Sequence, residues 1–162
     1  MKYLIPAALT FLILGLGQVS GLSDEADLVD VVDGDTLDIE NDTVRLIGID
    51  TPEISSDNAP REYGFENTTK NVECLNRYGE KASTFVENST ADKVDLVKDI
   101  RSDSRGTYGR RLSYIQTEGD LNRKLLVNGL AQVYRSDFSR KNEFYFWEYV
   151  AKKNSRGLWS CS

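Results

Sequence analysis

The sequence predicts an α+β fold, in which β-strands and helices follow one another without regular βαβ alternation. Apolar and polar residues alternate within 28–49 and again within 93–116, the spacing of half-buried strands. Apolar residues recur at helical spacing within 77–88, and aromatic residues are concentrated in a second helical segment at 139–154. This order disfavours a parallel doubly wound sheet, which would need repeated strand–helix–strand units.

The length and composition are those of one folded domain. The chain has 162 residues, of which 40% are hydrophobic, enough for a core and too many for a disordered chain. It contains no histidine, which excludes histidine general bases and histidine-ligated zinc. Hydrolytic chemistry in this chain must therefore use carboxylates, arginines, tyrosines or a metal ion.

Three strands are predicted in the first part of the domain, at 28–32, 37–39 and 43–49. A polar lead-in at 24–27 precedes them. Pro52 ends this strand region, because proline cannot donate to a strand ladder.

A long polar loop is predicted at 54–76, followed by a helix at 77–88 whose apolar residues share one face. Loops of this length are uncommon unless they are functional. We expect its aromatic residues, Tyr63 and Phe65, to pack the loop down rather than to contact a base.

The rest of the chain predicts two strands, a helix, an extended segment and a last helix. Their positions are 93–97, 110–116, a helix ending near 128, 131–134 and 139–154. Asp120 and Asn122 are both candidates for the residue that caps the middle helix, and Gly129 would end it.

The N-terminus has the pattern of an export signal. Lys2 precedes an apolar run at 3–19, then small residues and an acidic segment. We divide the chain into a leader at 1–23 and a folded domain at 24–162. The leader is either a cleaved signal peptide or a membrane anchor, and both predict a secreted or extracytoplasmic protein.

Cys74 and Cys161 are the only cysteines in the chain. Two cysteines in an exported protein suggest one disulfide. This bond would tie the C-terminal tail to the segment before the first long helix. The alternative is two free thiols.

Two acidic clusters lie at opposite ends of a predicted strand pair. If the chain runs out and back through these strands, Asp33, Asp35, Asp50 and Glu53 reach the same edge of a sheet. Clustered carboxylates repel one another and lose solvation, so they need a partner. A hard cation such as Ca²⁺ or Mg²⁺ is a suitable one, and Arg45 lies between the clusters in sequence.

These residues resemble the staphylococcal nuclease, or thermonuclease, family. The similar blocks occur in family order and span roughly residues 28–159. They include Val-x-Asp-Gly-Asp-Thr, Arg-Leu, Ile-Asp-Thr-Pro-Glu and Tyr-Gly-Arg, and they stand at 31–36, 45–46, 49–53, 108–115, 125–133 and 155–159. The resemblance implies an OB-fold barrel of five strands with about three helices packed against it.

The resemblance also implies a site for one Ca²⁺ ion. Asp35 and Asp50 match the family's metal-binding carboxylates, and the Thr51 carbonyl matches a further ligand. Asp33 would lie in the outer shell through water. Glu53 matches the family's general base, which would activate or orient the attacking water.

Arg45 and Arg110 match the two family arginines that hold the reacting phosphate. A guanidinium suits this role because it is always charged and binds two phosphate oxygens at once. Tyr108 matches a tyrosine that lines the nucleotide pocket. Arg111 follows on the opposite strand face, and we interpret it as structural.

The chain departs from the family pattern in three respects. The net charge is −6, and residues after 23 carry −7 because Lys2 is the leader's one charge; this predicts weak long-range attraction to nucleic acid. Thr107 stands where known members have a lysine. Arg135 stands at the first site of an expected tyrosine pair, with Tyr134 one position away, which weakens the prediction of base stacking.

The function that these observations predict is an exported, Ca²⁺-dependent nuclease. The resemblance implies cleavage of DNA, and of RNA as well, on the 5′ side of the phosphate to leave 3′-phosphate products. We expect a monomer without an obligate protein partner. One alternative is a non-catalytic OB-fold module that binds nucleic acid. Another is an exported domain whose Ca²⁺ site is structural.

Overall fold

The computed structural model describes residues 23–55 and 58–161, which form a β-barrel with three α-helices packed against it. In chain order, the elements are β1 Ser23–Val31, β2 Thr36–Ile39, β3 Asp42–Leu46, β4 Ile49–Asp50, α1 Thr69–Ser89, β5 Lys93–Val97, β6 Arg111–Thr117, β7 Gly119–Asp120, α2 Leu121–Val127, β8 Gln132–Val133 and α3 Lys141–Lys153. Two 3-10 turns lie at Pro60–Tyr63 and Gly157–Ser160.

Five strands close the barrel in the order β3, β2, β1, β5, β6 and back to β3. Neighbouring strands are antiparallel, except that β3 and β6 pair in parallel, with Arg45 beside Leu112. Closure removes exposed strand edges and encloses a core that includes Leu37, Ile49 and Ile115. The predicted five-stranded OB-type α+β fold is confirmed.

The predicted lead-in at 24–27 is wrong, because these residues belong to β1. They pair with β5 over the register from Ser23 with Val97 to Asp27 with Lys93. Of the five residues from Ser23 to Asp27 only Ala26 is buried, so the segment lacks the apolar content that would have predicted a strand. Its partner strand decides its conformation.

The strand predicted at 43–49 is two strands. β3 ends at Leu46, a turn follows, and β4 pairs with β8 instead of continuing the barrel ladder. Both segments are apolar, and alternation of residue types does not reveal a short turn between them. The sequence pattern therefore predicted one strand where there are two.

The loop predicted at 54–76 is shorter than expected, because α1 begins at Thr69 rather than at 77. The Thr68 hydroxyl accepts a hydrogen bond from the Asn71 amide at 3.2 Å and caps this helix. The first turns are mostly polar, and they are held by Leu75, which packs against Leu158 of the C-terminal turn. This contact is remote in sequence and therefore absent from any local pattern.

The predicted disulfide joins Cys74 and Cys161, and both cysteines are buried. Cys74 lies inside α1 rather than before it, which corrects the predicted position of this tie. Tyr63 is buried in the same small cluster, and the ring of Phe65 lies 6.1 Å from that of Trp159. The loop aromatics therefore pack the loop down, as expected.

The capping residue of α2 is Asp120, whose carboxylate accepts a hydrogen bond from the Arg123 amide at 2.6 Å. Asn122, the other candidate, has no exposed surface and a different task. It donates to the Ile47 carbonyl at 2.9 Å and accepts from the Ile115 amide at 3.2 Å. It thus satisfies buried main-chain groups of the turn after β3 and of β6.

Asp99 joins three segments that are distant in sequence. One carboxylate oxygen accepts from the amides of Arg101 and Ser102 at 2.7 and 3.0 Å. The other accepts from the Tyr114 hydroxyl of β6 and from the amide and hydroxyl of Ser139 before α3. Partial burial alone would raise the pKa of Asp99, but these hydrogen bonds outweigh it and hold the pKa well below its usual value.

We expect Asp99→Asn to lower the free energy of unfolding by about 2 kcal/mol at pH 7, because hydrogen bonds to an ionised acceptor are lost. Since the folded-state pKa is depressed, this stabilisation is present above the usual pKa near 3.8 and is lost as the pH falls below it. Urea unfolding at pH 7 and at pH 3 measures both effects. An equal difference between variant and wild type at the two pH values would contradict the role of the charge.

Residues 1–22 of the predicted leader, which include the apolar run, lie outside the described residues, and Ser23 is the first residue of β1. Within the part of the chain that the structure describes, no helix is both long and apolar enough to span a bilayer.

Candidate active site

One arginine joins the two acidic clusters. Arg45, on β3, donates from one guanidinium nitrogen to Asp35 and from the other to Asp50, the latter at 2.7 Å. Asp35 lies in the turn before β2 and Asp50 in β4. Because both carboxylates bind the same guanidinium, they lie at one place on the molecule, as the strand pattern predicted.

Asp35 is almost fully buried and accepts from three donors. Its Oδ1 atom accepts from Arg45 and from the Thr36 hydroxyl at 3.0 Å, and its Oδ2 atom accepts from the Thr51 amide at 3.0 Å. Burial raises the pKa of Asp35 to about 7, although Arg45 acts in the opposite direction. Burial therefore disfavours the charged form of this carboxyl group more than Arg45 favours it.

The turn that carries Asp35 packs tightly against its surroundings. A Cβ atom at Gly34 would lie 2.6 Å from the Ala82 side chain of α1 and 2.8 Å from the Thr51 hydroxyl. Asp33 accepts a hydrogen bond from the Asp35 amide at 2.9 Å and closes the turn. Position 34 therefore requires glycine, because a larger side chain would collide with Ala82 and Thr51.

Asp50 is positioned by the pairing of β4 with β8, in which it lies opposite Gln132. The Gln132 amide donates to the Asp50 Oδ2 atom at 3.1 Å, while Arg45 occupies Oδ1. Sequence reasoning did not identify Gln132, since no local signal relates it to Asp50. All four oxygens of Asp35 and Asp50 thus accept at least one hydrogen bond.

Arg110 lies beside Thr36, the residue that follows Asp35, and makes few contacts with the described residues. Its guanidinium donates to the Thr36 hydroxyl at 3.4 Å and lies 5.8 Å from the centre of the Tyr108 ring. No carboxylate within the described residues forms an ion pair with it. Tyr108 is 86% exposed. A half-buried guanidinium without a counter-ion beside Asp35 and its neighbour Thr36 is a suitable receptor for an anion.

Arg111, which we interpreted as structural, pairs with Asp24 of β1 at 3.0 Å. Tyr134 is half exposed, and its ring centre lies 5.9 Å from the guanidinium carbon of Arg45. An aromatic ring therefore borders the site, although the sequence position of Tyr134 is shifted from the family pattern.

The main chain of Glu53 is fixed by hydrogen bonds on one side and by close packing on the other. The Glu53 amide donates to the Asn58 side chain at 2.8 Å, and the Asn58 amide group donates back to the Glu53 carbonyl at 2.7 Å. On the other side, a Cβ atom at Gly79 of α1 would lie 2.4 Å from the Glu53 carbonyl oxygen. Sequence reasoning missed Asn58, but a glycine inside a helix is a signal of close packing.

We expect Gly79→Ala to lower the turnover number for phosphodiester cleavage by about 10- to 100-fold, because the new methyl group must displace Glu53. Alanine is the better helix former by about 1 kcal/mol, so helix propensity alone predicts a more stable and fully active protein. Steady-state cleavage kinetics decide between these outcomes. Glu80→Ala, at the exposed neighbouring position, is the control and should keep wild-type kinetics.

Carboxylate oxygens such as those of Asp35 and Asp50 suit a hard cation, Ca²⁺ or Mg²⁺. Both carboxylates bind Arg45, and the Thr51 amide donates to Asp35 at 3.0 Å. The buried charge of Asp35 is the kind that a cation would compensate. Among the described residues, no group of three or more acidic, cysteine or histidine side chains is placed to hold a metal. A cation here would therefore need main-chain and water ligands besides the two carboxylates.

The sequence model of the family described as staphylococcal nuclease homologue matches residues 43–161. The chain belongs to the staphylococcal nuclease family. A thermonuclease of Staphylococcus hyicus is 30% identical over 141 residues, which cover 82% of this chain and 74% of that protein. An uncharacterised protein of Methanocaldococcus jannaschii is 40% identical over 147 residues, covering 83% of this chain and 71% of that protein.

Endonuclease YncB of Bacillus subtilis is 32% identical over 140 residues, which cover 81% of this chain and 59% of that protein. Family membership and the names of these relatives support a hydrolytic nuclease. Among the residues predicted for the site, the structure joins Asp35 and Asp50 through Arg45 and places Arg110 within hydrogen-bond distance of Thr36.

Proposed function

We propose that this protein is a Ca²⁺-dependent nuclease that cleaves DNA and RNA on the 5′ side of the phosphate and leaves 3′-phosphate ends. The observation that carries the proposal is the bridge from Arg45 to Asp35 and Asp50, beside which Arg110 forms no ion pair with any residue that the structure describes. This arrangement supports the proposal, because two carboxylates that suit a cation lie beside two guanidinium groups, and phosphodiester hydrolysis uses both kinds of group.

In this proposal, Asp35, Asp50 and the Thr51 carbonyl would hold one Ca²⁺ ion, and Asp33 would lie in the outer shell. The bound ion supplies neutralisation of phosphate charge and orientation of the nucleophile. Arg45 already binds one oxygen of each of these two carboxylates. We expect Arg45 to exchange one of its carboxylate contacts for a phosphate oxygen when substrate and Ca²⁺ are bound.

Arg45 and Arg110 bind the non-bridging oxygens of the reacting phosphate and stabilise the extra negative charge of the five-coordinate state. Glu53 accepts a proton from the attacking water as the new bond between water oxygen and phosphorus forms. The bond from phosphorus to the 5′ oxygen breaks, and that oxygen takes up a proton as it leaves. The products are a 3′-phosphate end and a free 5′ hydroxyl.

The deciding experiment is digestion of plasmid DNA and of RNA by the purified protein with Ca²⁺ or with EDTA. We expect digestion only with Ca²⁺, and loss of digestion in Arg45→Ala and Glu53→Ser. End analysis of the products should show 3′-phosphates. Absence of metal-dependent digestion by the wild type would overturn the proposal and favour the non-catalytic nucleic-acid-binding module.

Calorimetric titration with Ca²⁺ separates the metal site from catalysis. Asp35→Asn should abolish Ca²⁺ binding, because it removes a buried ligand. Arg45→Ala should retain Ca²⁺ binding or strengthen it, since a competing cation leaves the carboxylates, although cleavage is lost. Loss of Ca²⁺ binding in a folded Arg45→Ala variant would contradict this division of roles.

We further propose that the protein is exported, with residues 1–23 as its leader. The disulfide between Cys74 and Cys161 supports this, because such bonds persist in oxidising compartments. Fractionation of the source cells with an antibody against the folded domain tests the proposal. Recovery of the protein in the cytoplasmic fraction would contradict it.

A further inference from the structure

A groove adjoins the candidate active site, and we propose that it binds a second nucleotide of a single-stranded nucleic acid next to the one being cleaved. This side groove lies between the turn Pro60–Tyr63, β8 and α3, and its volume is about 760 Å³. The inference rests on the proposed nuclease function, which places a phosphodiester at Arg45.

The side groove begins at the reaction centre. Asp50 lines it and also binds Arg45, and Tyr134 lines it while its ring lies 5.9 Å from the Arg45 guanidinium carbon. A nucleic acid with its scissile phosphate at Arg45 has a neighbouring nucleotide on each side. The proposal places one of these neighbours in the side groove.

The charges of the side groove favour a phosphate. Arg61 and Arg135 line it, and neither forms an ion pair with any described residue. Glu148 is already bound by Lys152 at 3.1 Å and accepts from the Val133 amide at 2.9 Å. Its carboxylate is therefore compensated.

The remaining acidic residue of the side groove is Glu62, since Asp50 is bound by Arg45 and Gln132. Two arginines without counter-ions thus outnumber one free acid. This local excess of positive charge is opposite in sign to the net charge of the folded domain. Arginine binds phosphate oxygens in pairs, which suits a nucleic-acid backbone.

The side groove also offers aromatic surface. Tyr134 and Tyr145 line it and are 51% and 40% exposed. An exposed tyrosine face stacks on a base of any sequence, but only when the base is not already stacked in a duplex. The combination of arginine and tyrosine therefore selects single-stranded DNA or RNA.

The test measures binding without cleavage. A fluorescein-labelled, eight-residue single-stranded oligothymidine is titrated with the full protein in EDTA, and fluorescence anisotropy reports its affinity. We expect Tyr145→Ala to weaken binding about 5- to 100-fold, and Tyr145→Phe to retain it because the ring remains. We expect Arg61→Ala to weaken binding and to reduce the slope of log K against log salt by about 0.7.

Two control variants remove a tyrosine ring or an arginine charge at positions outside the side groove. Tyr149→Ala removes a tyrosine that is 60% exposed on α3 outside the side groove, and Arg77→Ala removes a charge from α1. Both should bind the probe within twofold of wild type. The proposal is overturned if Arg61→Ala and Tyr145→Ala also bind within twofold, or if the two controls lose as much affinity as they do.

Addition of Ca²⁺ to the same samples separates this proposal from the nuclease function. If the wild-type protein cleaves the probe while Arg61→Ala and Tyr145→Ala bind it with wild-type affinity, the proposal for the side groove is wrong and the nuclease function stands. Loss of affinity in these variants, with no cleavage by the wild type, supports the side groove and overturns the nuclease function.

Discussion

Arg110→Lys is expected to slow phosphodiester cleavage by at least a hundredfold, which corresponds to about 3 kcal/mol of lost transition-state stabilisation. The charge remains, but a lysine cannot bind two oxygens of the five-coordinate phosphate at once. Cleavage of a short single-stranded oligonucleotide under single-turnover conditions measures the chemical step directly. The loss should appear in the rate of that step.

The same variant should leave the free energy of unfolding within about 0.5 kcal/mol of wild type. Arg110 makes only a 3.4 Å hydrogen bond to Thr36 and an aromatic contact with Tyr108 among the described residues. Arg111→Lys is the matched control, because Arg111 is adjacent and pairs with Asp24. Full activity of Arg110→Lys would mean that the site does not stabilise a phosphate through Arg110, and would favour a structural Ca²⁺ site.

Removal of the disulfide is expected to lower the free energy of unfolding by about 4 kcal/mol. Cys74 and Cys161 are 87 positions apart, and a covalent bond across a loop of this length strongly restricts the unfolded chain. Because domains of this size have only about 5–15 kcal/mol of stability, the reduced protein should be marginally folded. Urea unfolding of the oxidised protein and of the Cys74→Ala/Cys161→Ala variant measures the difference.

Reduction of the wild-type protein with dithiothreitol is the control, because it breaks the bond without removing side chains from the core. The two treatments should give similar losses. A loss below about 1 kcal/mol in both would contradict the prediction and would assign the stability of the C-terminal turn to packing of Leu158 instead.

The sequence predicted elements well where apolar spacing is regular. α1 from 77 onwards, β5 and β6 follow from local alternation or helical spacing, and the structure confirms them. The first two turns of α1 did not follow, because Leu75 and Cys74 are held by residues more than 80 positions away. The first half of β1 could not be predicted from its own composition, because it is a strand through its pairing with β5.

The candidate site likewise has features that could be predicted from the sequence and features that could not. Its acidic turns and the glycine at 34 were visible in sequence, and the resemblance indicated which carboxylates and arginines to join. The contacts of Asn58 and Gly79 with the Glu53 main chain could not be predicted, because a glycine inside a helix indicates close packing but not its partner, and Asn58 gave no signal. The same holds for the bond from Gln132 to Asp50, which depends on the pairing of β4 with β8.

The order of residues is enough to establish which chemical groups the protein carries and the family to which they belong. Hydrogen bonds between near neighbours and the periodicity of apolar residues are encoded locally, so these features can be inferred from a string of residues. That Arg45 binds both carboxylates at once, and that Arg61 lies on the same groove as Tyr145, is known only from the folded arrangement. Such meetings depend on how the closed barrel and its helices bring distant segments together, and no local interaction specifies that.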